Sequence, residues 1–273
     1  MRILKLLGAA LVVLACGVGT ASATDVTAPQ PQGAAIDGIA GLALALIPDY
    51  EGSDDYRVVP VPGLIYNYWE DNKIILRGNQ LFVDAIAGPE WDAGLHAIYR
   101  FGRDDDVDDS VVKLMEEVDD SFELGAFVGY TYFCEESRRN RWNTRFDFTQ
   151  DVSDGHDGFQ ARLETTMWMG ATDNIDVGLR GFVTYADSDY MSAFFDVSAA
   201  DSAVTGLPTY GASSGLKDFQ VGPIMLIKVT DNWYMGLVSM YKRLLNDAED
   251  SPVVDIRGDA DQFIAGIAGL YAW

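Results

Sequence analysis

Cysteine is almost missing from this chain. Two occur in 273 residues, Cys16 and Cys134, and Cys16 falls in a leader segment described below. A chain left with Cys134 alone forms no internal disulfide and offers no Cys-rich zinc site. Positive charge is also scarce: 19 Lys and Arg stand against 42 Asp and Glu, for a net charge of −23. That balance excludes nucleic acid as a partner, because phosphates demand clustered Lys and Arg. Histidine is limited to His96 and His156. Beyond the N-terminus no stretch approaches the ~20 apolar residues of a spanning helix, so no helical anchor is expected.

The first 23 residues, MRILKLLGAALVVLACGVGTASA, have the layout of a bacterial secretory signal peptide. Arg2 and Lys5 give a charged start, Ile3 to Val18 an apolar stretch, and Ala21-Ser22-Ala23 a small-x-small cleavage site. Cys16 also permits a lipoprotein reading, which Leu14 two residues earlier opposes. Cleavage would make the chain two units more negative. Residues 24–35 are Pro- and Gln-rich and read as a flexible tail.

What is present is alternation. From Trp91, every second residue is Trp91, Ala93, Leu95, Ala97, Tyr99, Phe101, against Asp92, Gly94, His96, Ile98, Arg100, Gly102. A strict period of two marks a β-strand with one apolar and one polar face. Such segments recur near 36–47, 58–70, 73–84, 91–102, 121–133, 141–152, 159–170, 175–186, 218–229, 233–244 and 259–273. They exceed the ~5–6 residues of soluble strands and match the ~9–11 needed to cross a bilayer. Tight turns at 172–174 and 230–232 contrast with long polar connections at 103–120, 187–217 and 245–258, as in outer-membrane barrels. Trp69, Trp91, Trp142, Trp168, Trp233 and Trp273 all fall near strand ends, where an indole at headgroup level belongs. The final stretch, Gln262 to Trp273, alternates and closes on an aromatic.

The expected fold is therefore all-β: a transmembrane, antiparallel, up-and-down β-barrel of about 10–12 strands spanning 36–273 in the bacterial outer membrane. Eleven segments are visible, and a barrel with both termini on one side needs an even number. Either one segment is spurious or a weak strand hides, with Met191–Ser198 a candidate; twelve is preferred.

Three stretches carry a resemblance. They are Pro48-Asp49-Tyr50-Glu51-Gly52-Ser53-Asp54-Asp55-Tyr56-Arg57 followed by Pro60-Val61-Pro62; Tyr99-Arg100-Phe101-Gly102-Arg103 running into acids; and Ser214-Gly215-Leu216-Lys217-Asp218 with Arg243 to Val254 (RLLNDAEDSPVV). Together the chain resembles the MipA/OmpV family of outer-membrane proteins, MipA meaning MltA-interacting protein. Asn246 departs from the Gly expected there. The resemblance implies an outer-membrane barrel and, for some members, a scaffold joining a lytic transglycosylase to a peptidoglycan synthase; other members are porin-like or adhesive. It implies no catalytic residues and no cofactor.

The remaining motifs are weak. Gly211-Ala212-Ser213-Ser214-Gly215 matches G-x-S-x-G, but a nucleophile elbow needs a strand before it, a helix after it and a later histidine. Both histidines precede it. Asp104-Asp105-Asp106-Val107-Asp108-Asp109 has Asp109 where an EF-hand wants its sixth-position Gly, and Met115 where it wants its twelfth-position Glu. It reads as a solvated acidic loop, with loose divalent binding the alternative. Arg257-Gly258-Asp259 carries no weight.

On the polar registers lie Asp37, His96, Arg100, Glu123, Arg145, Asp147, Arg162, Glu164, Asp176, Arg180, Lys228 and Lys242. These are the candidate lumen-facing residues, and the six tryptophans are the candidate interface aromatics. Opposed charges on neighbouring strands suggest a lumen crossed by ion pairs. Such a lumen suits a polar plug or a narrow solute pore. Two functions follow: a non-enzymatic scaffold for cell-wall enzymes, or a narrow porin-like channel. Leu95→Arg, on the lipid side, is expected to be severe and His96→Arg mild.

Overall fold

The computed structural model describes residues 37–273 apart from 70, 71, 89, 135 and 136. The expected signal peptide (1–23) and tail (24–35) lie outside the described residues. Twelve strands follow one another: β1 (Gly38–Pro48), β2 (Tyr56–Trp69), β3 (Asn72–Arg77), β4 (Gln80–Ala87), β5 (Trp91–Arg100), β6 (Ser121–Cys134), β7 (Ser137–Asp151), β8 (Phe159–Thr172), β9 (Ile175–Ala186), β10 (Gly215–Lys228), β11 (Trp233–Leu244) and β12 (Asp261–Ala272). Each pairs antiparallel with its chain neighbours, and β1 closes on β12 from Ile39↔Ala272 to Leu46↔Ala265. Closure gives every strand a partner on both sides, which is what a sheet in hydrocarbon requires.

An even strand number returns both ends to one rim, where the Asp37 N–H donates to the Trp273 carbonyl at 2.8 Å. That rim carries short turns. The opposite rim carries the connections 49–55, 101–120, 152–158, 187–214 and 245–260. By the rule that long loops face outward, it is the cell-exterior rim. Period two sorts the side chains. Leu42, Leu44, Leu46, Leu95, Leu124, Leu163, Leu179 and Ile267 lie exposed on the outer face, while Ala43, Ala45, His96, Glu123, Glu164 and Arg180 are buried inside.

The strand count is resolved by one hairpin. The expected strand 73–84 is two strands, β3 and β4, joined at Gly78-Asn79 with Gly78 in the left-handed region (φ 58°). The two strands together have the length of one spanning strand, which concealed the turn, although the alternation changes phase there, with Leu76 opposite Leu81 and Arg77 opposite Gln80. The other expected site of a hidden strand, Met191–Ser198, is not a strand. Most of it belongs to helix α1 (Ser188–Phe195), whose first turn is capped by the Asp187 carboxylate accepting from the Tyr190 N–H. Tyr190, Met191, Phe194 and Phe195 recur at helical spacing and bury one face.

The exterior loops form a folded cap. Helix α2 (Ala199–Thr205) starts with a Ser198/Asp201 capping box and ends at Gly206 (φ 77°). Helix α3 (Pro252–Asp255) starts under Ser251. Residues of α1 pack with Leu244, Ala248 and Val254; beside them Tyr50, Val107, Val112, Met115 and Val253 form a second cluster. Loops distant in sequence thus share two small cores across the barrel mouth.

Candidate functional site

Twelve strands enclose a lumen wider than an eight-stranded barrel, which side chains just fill, and narrower than the water-filled porins. Filling it takes long side chains, and the strands supply them unequally. The inward faces of β1, β2, β11 and β12 are largely apolar, including Ile39, Ala43, Val59, Met240 and Ile264, with Lys242 and Gln262 the polar exceptions at the exterior end. Those of β3 to β9 are charged. The interior therefore has an apolar wall and an ionic wall.

The ionic wall is layered. In the deeper layer Glu164 binds Arg180 and Arg145 (3.3 Å), and Asp147 binds Arg162 (3.4 Å) and His96 Nδ1 (3.3 Å). The His96 ring stacks on Phe82 at 3.9 Å, with Arg77 and Arg145 over the same ring at 4.7 and 4.4 Å. Arg162 and Arg180 lie over Phe182 at 5.4 and 5.5 Å. Buried charges persist only when paired and hydrogen-bonded, and planar guanidiniums suit both carboxylates and ring faces.

The outer layer ties the wall to the cap. Arg100 donates to Glu123, to Gln160 (3.1 Å) and to the Tyr190 hydroxyl (3.3 Å). Glu123 also accepts from Thr149 (2.7 Å) and faces His156 Nε2 at 3.1 Å. Tyr190, on α1, donates to Glu51 at 2.9 Å, and Glu51 accepts from Lys217 and Lys242 as well. Burial alone would raise the Glu51 carboxyl, but the two ammonium groups outweigh it and hold it well below the usual carboxylate range. Burial pushes the Tyr190 phenol well up, so it stays a neutral donor. Further out, Asp109 accepts from the N–H groups of Val111 (2.8 Å) and Val112 (2.8 Å) and from Arg257 (2.6 Å). Those bonds overcome its desolvation and lower its pKa.

Of the candidates from the sequence, His96, Arg100, Glu123, Arg145, Asp147, Arg162, Glu164, Arg180 and Lys242 are buried inside the barrel and meet in these layers. Asp176 is half-buried at the short-turn rim with Arg139 (2.7 Å), and Lys228 is part-exposed there with Asp231 (2.9 Å). Asp37 is exposed because it precedes β1 and stands off the wall. Trp69, Trp91, Trp142, Trp233 and Trp273 are exposed, but Trp168 is a correction: it is 5 % exposed and faces inward with Gln160, Arg162 and Glu164. Arg141 covers its ring at 5.6 Å, so position near a strand end did not decide its side; register did. His96→Arg is likewise no longer expected to be mild, because the ring is fully buried among Arg145, Arg162 and Phe82.

Glu51, Arg77, Phe82, Tyr190 and Lys217 also belong to the site and do not stand out in the sequence pattern. Read as one strand, 73–84 puts Arg77 and Phe82 on opposite faces; the hairpin puts them on the same one. Glu51 carries no local signal, and its partners lie 166 and 191 residues away. The Gly211–Gly215 motif is loop leading straight into β10, with no helix following, and the Ser213 N–H donates to Asp247 (2.7 Å). Among the described residues no group of His, Cys, Asp and Glu is arranged to hold a metal ion.

No curated protein matches the chain in sequence. Among solved structures, an outer-membrane channel from Pseudomonas putida F1 aligns with TM-score 0.50 at 8% identity, over 91% of this chain and 100% of that one. The NanC porin aligns with TM-score 0.46 at 9% identity, over 86% and 99%. A Pseudomonas aeruginosa FadL homologue aligns with TM-score 0.38 at 9% identity, over 86% and 90%. The family model described as MltA-interacting protein MipA matches residues 40–273.

Proposed function

Because the chain belongs to the MltA-interacting protein family and is an outer-membrane β-barrel, we propose that it is a non-enzymatic scaffold, holding the lytic transglycosylase MltA and a peptidoglycan synthase at the inner surface of the outer membrane. The supporting observation is the closure of the barrel: paired charges and rings occupy the interior, and folded loops cover its exterior mouth. Both histidines are buried and engaged with carboxylates. A filled barrel gives rigidity, and rigidity suits a platform.

The test pairs two measurements on the refolded protein. Immobilised in detergent micelles it retains purified lytic transglycosylase, and in planar bilayers it stays electrically silent. Steady single-channel steps without enzyme retention would overturn the reading.

The second reading, a narrow channel for small solutes, has one observation in its favour. Arg77, Arg145, Arg162 and Arg180 share a layer with Glu164 and Asp147, so a solute there meets more positive than negative charge. Under that reading the conductance would be anion-selective.

A further inference from the structure

The barrel wall is incomplete on its exterior side. β2 pairs with β1 along its whole upper length, from Tyr66↔Gly38 to Tyr56↔Pro48. On its other side, its ladder with β3 begins only at Gly63↔Arg77 and runs toward the short-turn rim. The β3–β4 hairpin stops at Gly78-Asn79, and β4 reaches β5 no higher than Gln80↔Ile98. The Gly78 N–H donates to the Pro62 carbonyl (2.8 Å) and the Tyr99 N–H to the Asn79 carbonyl (3.0 Å), and there the wall ends. Above that line, residues 56–62 of β2 have no strand on the side away from β1 among the described residues.

This edge lies inside the apolar belt. Pro62, Pro60 and Val58 stand opposite Leu42, Leu44 and Leu46 of β1, all outward and exposed or part-exposed. An open edge in hydrocarbon normally carries N–H groups that nothing satisfies. Here the Pro62 carbonyl points to the open side, so period two points the backbone of Pro60 the same way. Of the four positions whose backbone faces the open side, Tyr56, Val58, Pro60 and Pro62, the two deepest in the membrane are proline and carry no donor. The same prolines prevent a strand of another chain from pairing there. Behind the edge lie the buried Val59 and Val61. At its base a cavity of about 30 Å³ is lined by residues of both registers, Val61, Gly63 and Arg77 inward, Pro62 and Leu76 outward. A Cβ at Gly63 would meet nothing nearer than 3.9 Å. Tyr99 and Phe101, edge to face at 5.0 Å, form the far side.

We infer that this notch between β2 and β5 is a binding site for one hydrocarbon chain of an outer-leaflet lipid, which takes the place of the missing strand tops and reaches the apolar wall of the interior. The occupant is apolar because the outward side chains along the edge, Val58, Pro60, Pro62 and Leu76, are apolar, and it comes from the membrane because those side chains face the lipid. The site is independent of the scaffold reading.

The test uses the mature protein in phosphatidylcholine vesicles doped with a lipid bearing a diazirine on its acyl chain, photolysed and mapped by peptide mass spectrometry. Val59 and Val61, although inward in register, label at least several-fold more than Ala45 and Ala43, their direct partners on the fully paired β1. Lengthening the β3–β4 hairpin by four residues, in a variant whose unboiled form still migrates as folded, abolishes that labelling. Labelling of Val59 and Val61 no higher than of Ala45 and Ala43, or labelling unchanged in the folded long-hairpin variant, overturns the assignment.

Discussion

Glu51 ties the cap to the barrel wall through three partners. One carboxylate serves Tyr190 on α1, Lys217 at the start of β10 and Lys242 on β11. Glu51→Gln leaves two buried ammonium groups sharing a neutral amide, a loss on the order of 3–5 kcal/mol for a broken buried pair. The expected outcome is faster proteolysis within 187–214, with the barrel strands still protected. Its folded pKa is depressed, so its contribution is present above the unfolded carboxylate range and disappears as pH falls through the lowered folded value. The cap therefore survives pH 5 and opens only in strong acid, which a proteolysis series against pH would follow. Leu95→Arg and His96→Arg both damage the fold, by different routes. The first puts a cation on the lipid face, at roughly 2–4 kcal/mol near the midplane; the second crowds a closed ring stack. Heat-modifiable gel migration of the two variants, each losing its compact band at lower temperature, checks this. The paired carboxylates and guanidiniums inside were visible from alternation alone, because register is local. The Glu51 latch was not, because loops bring it together across the mouth.

At the scale of elements, ten of the twelve strands could be placed from periodicity, and the two that merged show its limit. The two short strands together have the length of one spanning strand, so Lys73 to Asp84 read as one although the chain reverses at Gly78 and the alternation shifts phase there. The α1 segment failed for the opposite reason: a short aromatic run has no period long enough to tell helix from strand, and burial in the cap decided it. Trp168 shows that nearness to a strand end identifies depth in the membrane but not side. Pro60 and Pro62 yield a prediction of their own. Pro60→Thr with Pro62→Thr restores two N–H donors to the open edge of β2, each costing several kcal/mol if left bare in lipid. The edge then recruits a second copy, and the double variant runs partly as a dimer on unboiled gels where the parent runs as a monomer.

The whole molecule is a barrel closed from above and within. Replacing 187–214 by a short turn removes α1 and α2 and with them the Tyr190 contact to Arg100 and Glu51. The expected result is reaction of a cysteine at position 100, in a Cys134→Ser background, with small aqueous thiol reagents that leave it untouched in the capped protein. No reaction in the folded truncated form would mean the ionic wall alone seals the interior.

All six tryptophans stand toward the short-turn rim: Trp69 ends β2, Trp91 and Trp233 begin β5 and β11, Trp142 and Trp168 sit in the lower parts of β7 and β8, and Trp273 follows β12. That makes the protein a clock for its own insertion. When the unfolded chain meets a preformed vesicle, one rim must travel through the bilayer, and the rim with short turns is far cheaper to move than the one with acidic loops. The indoles therefore enter first, pass the midplane together and emerge at the far headgroups. With bromine atoms placed near the ends of the acyl chains, tryptophan emission should dip and then recover during a single folding reaction. Had the rings been shared between the two rims, half of them would never make the crossing.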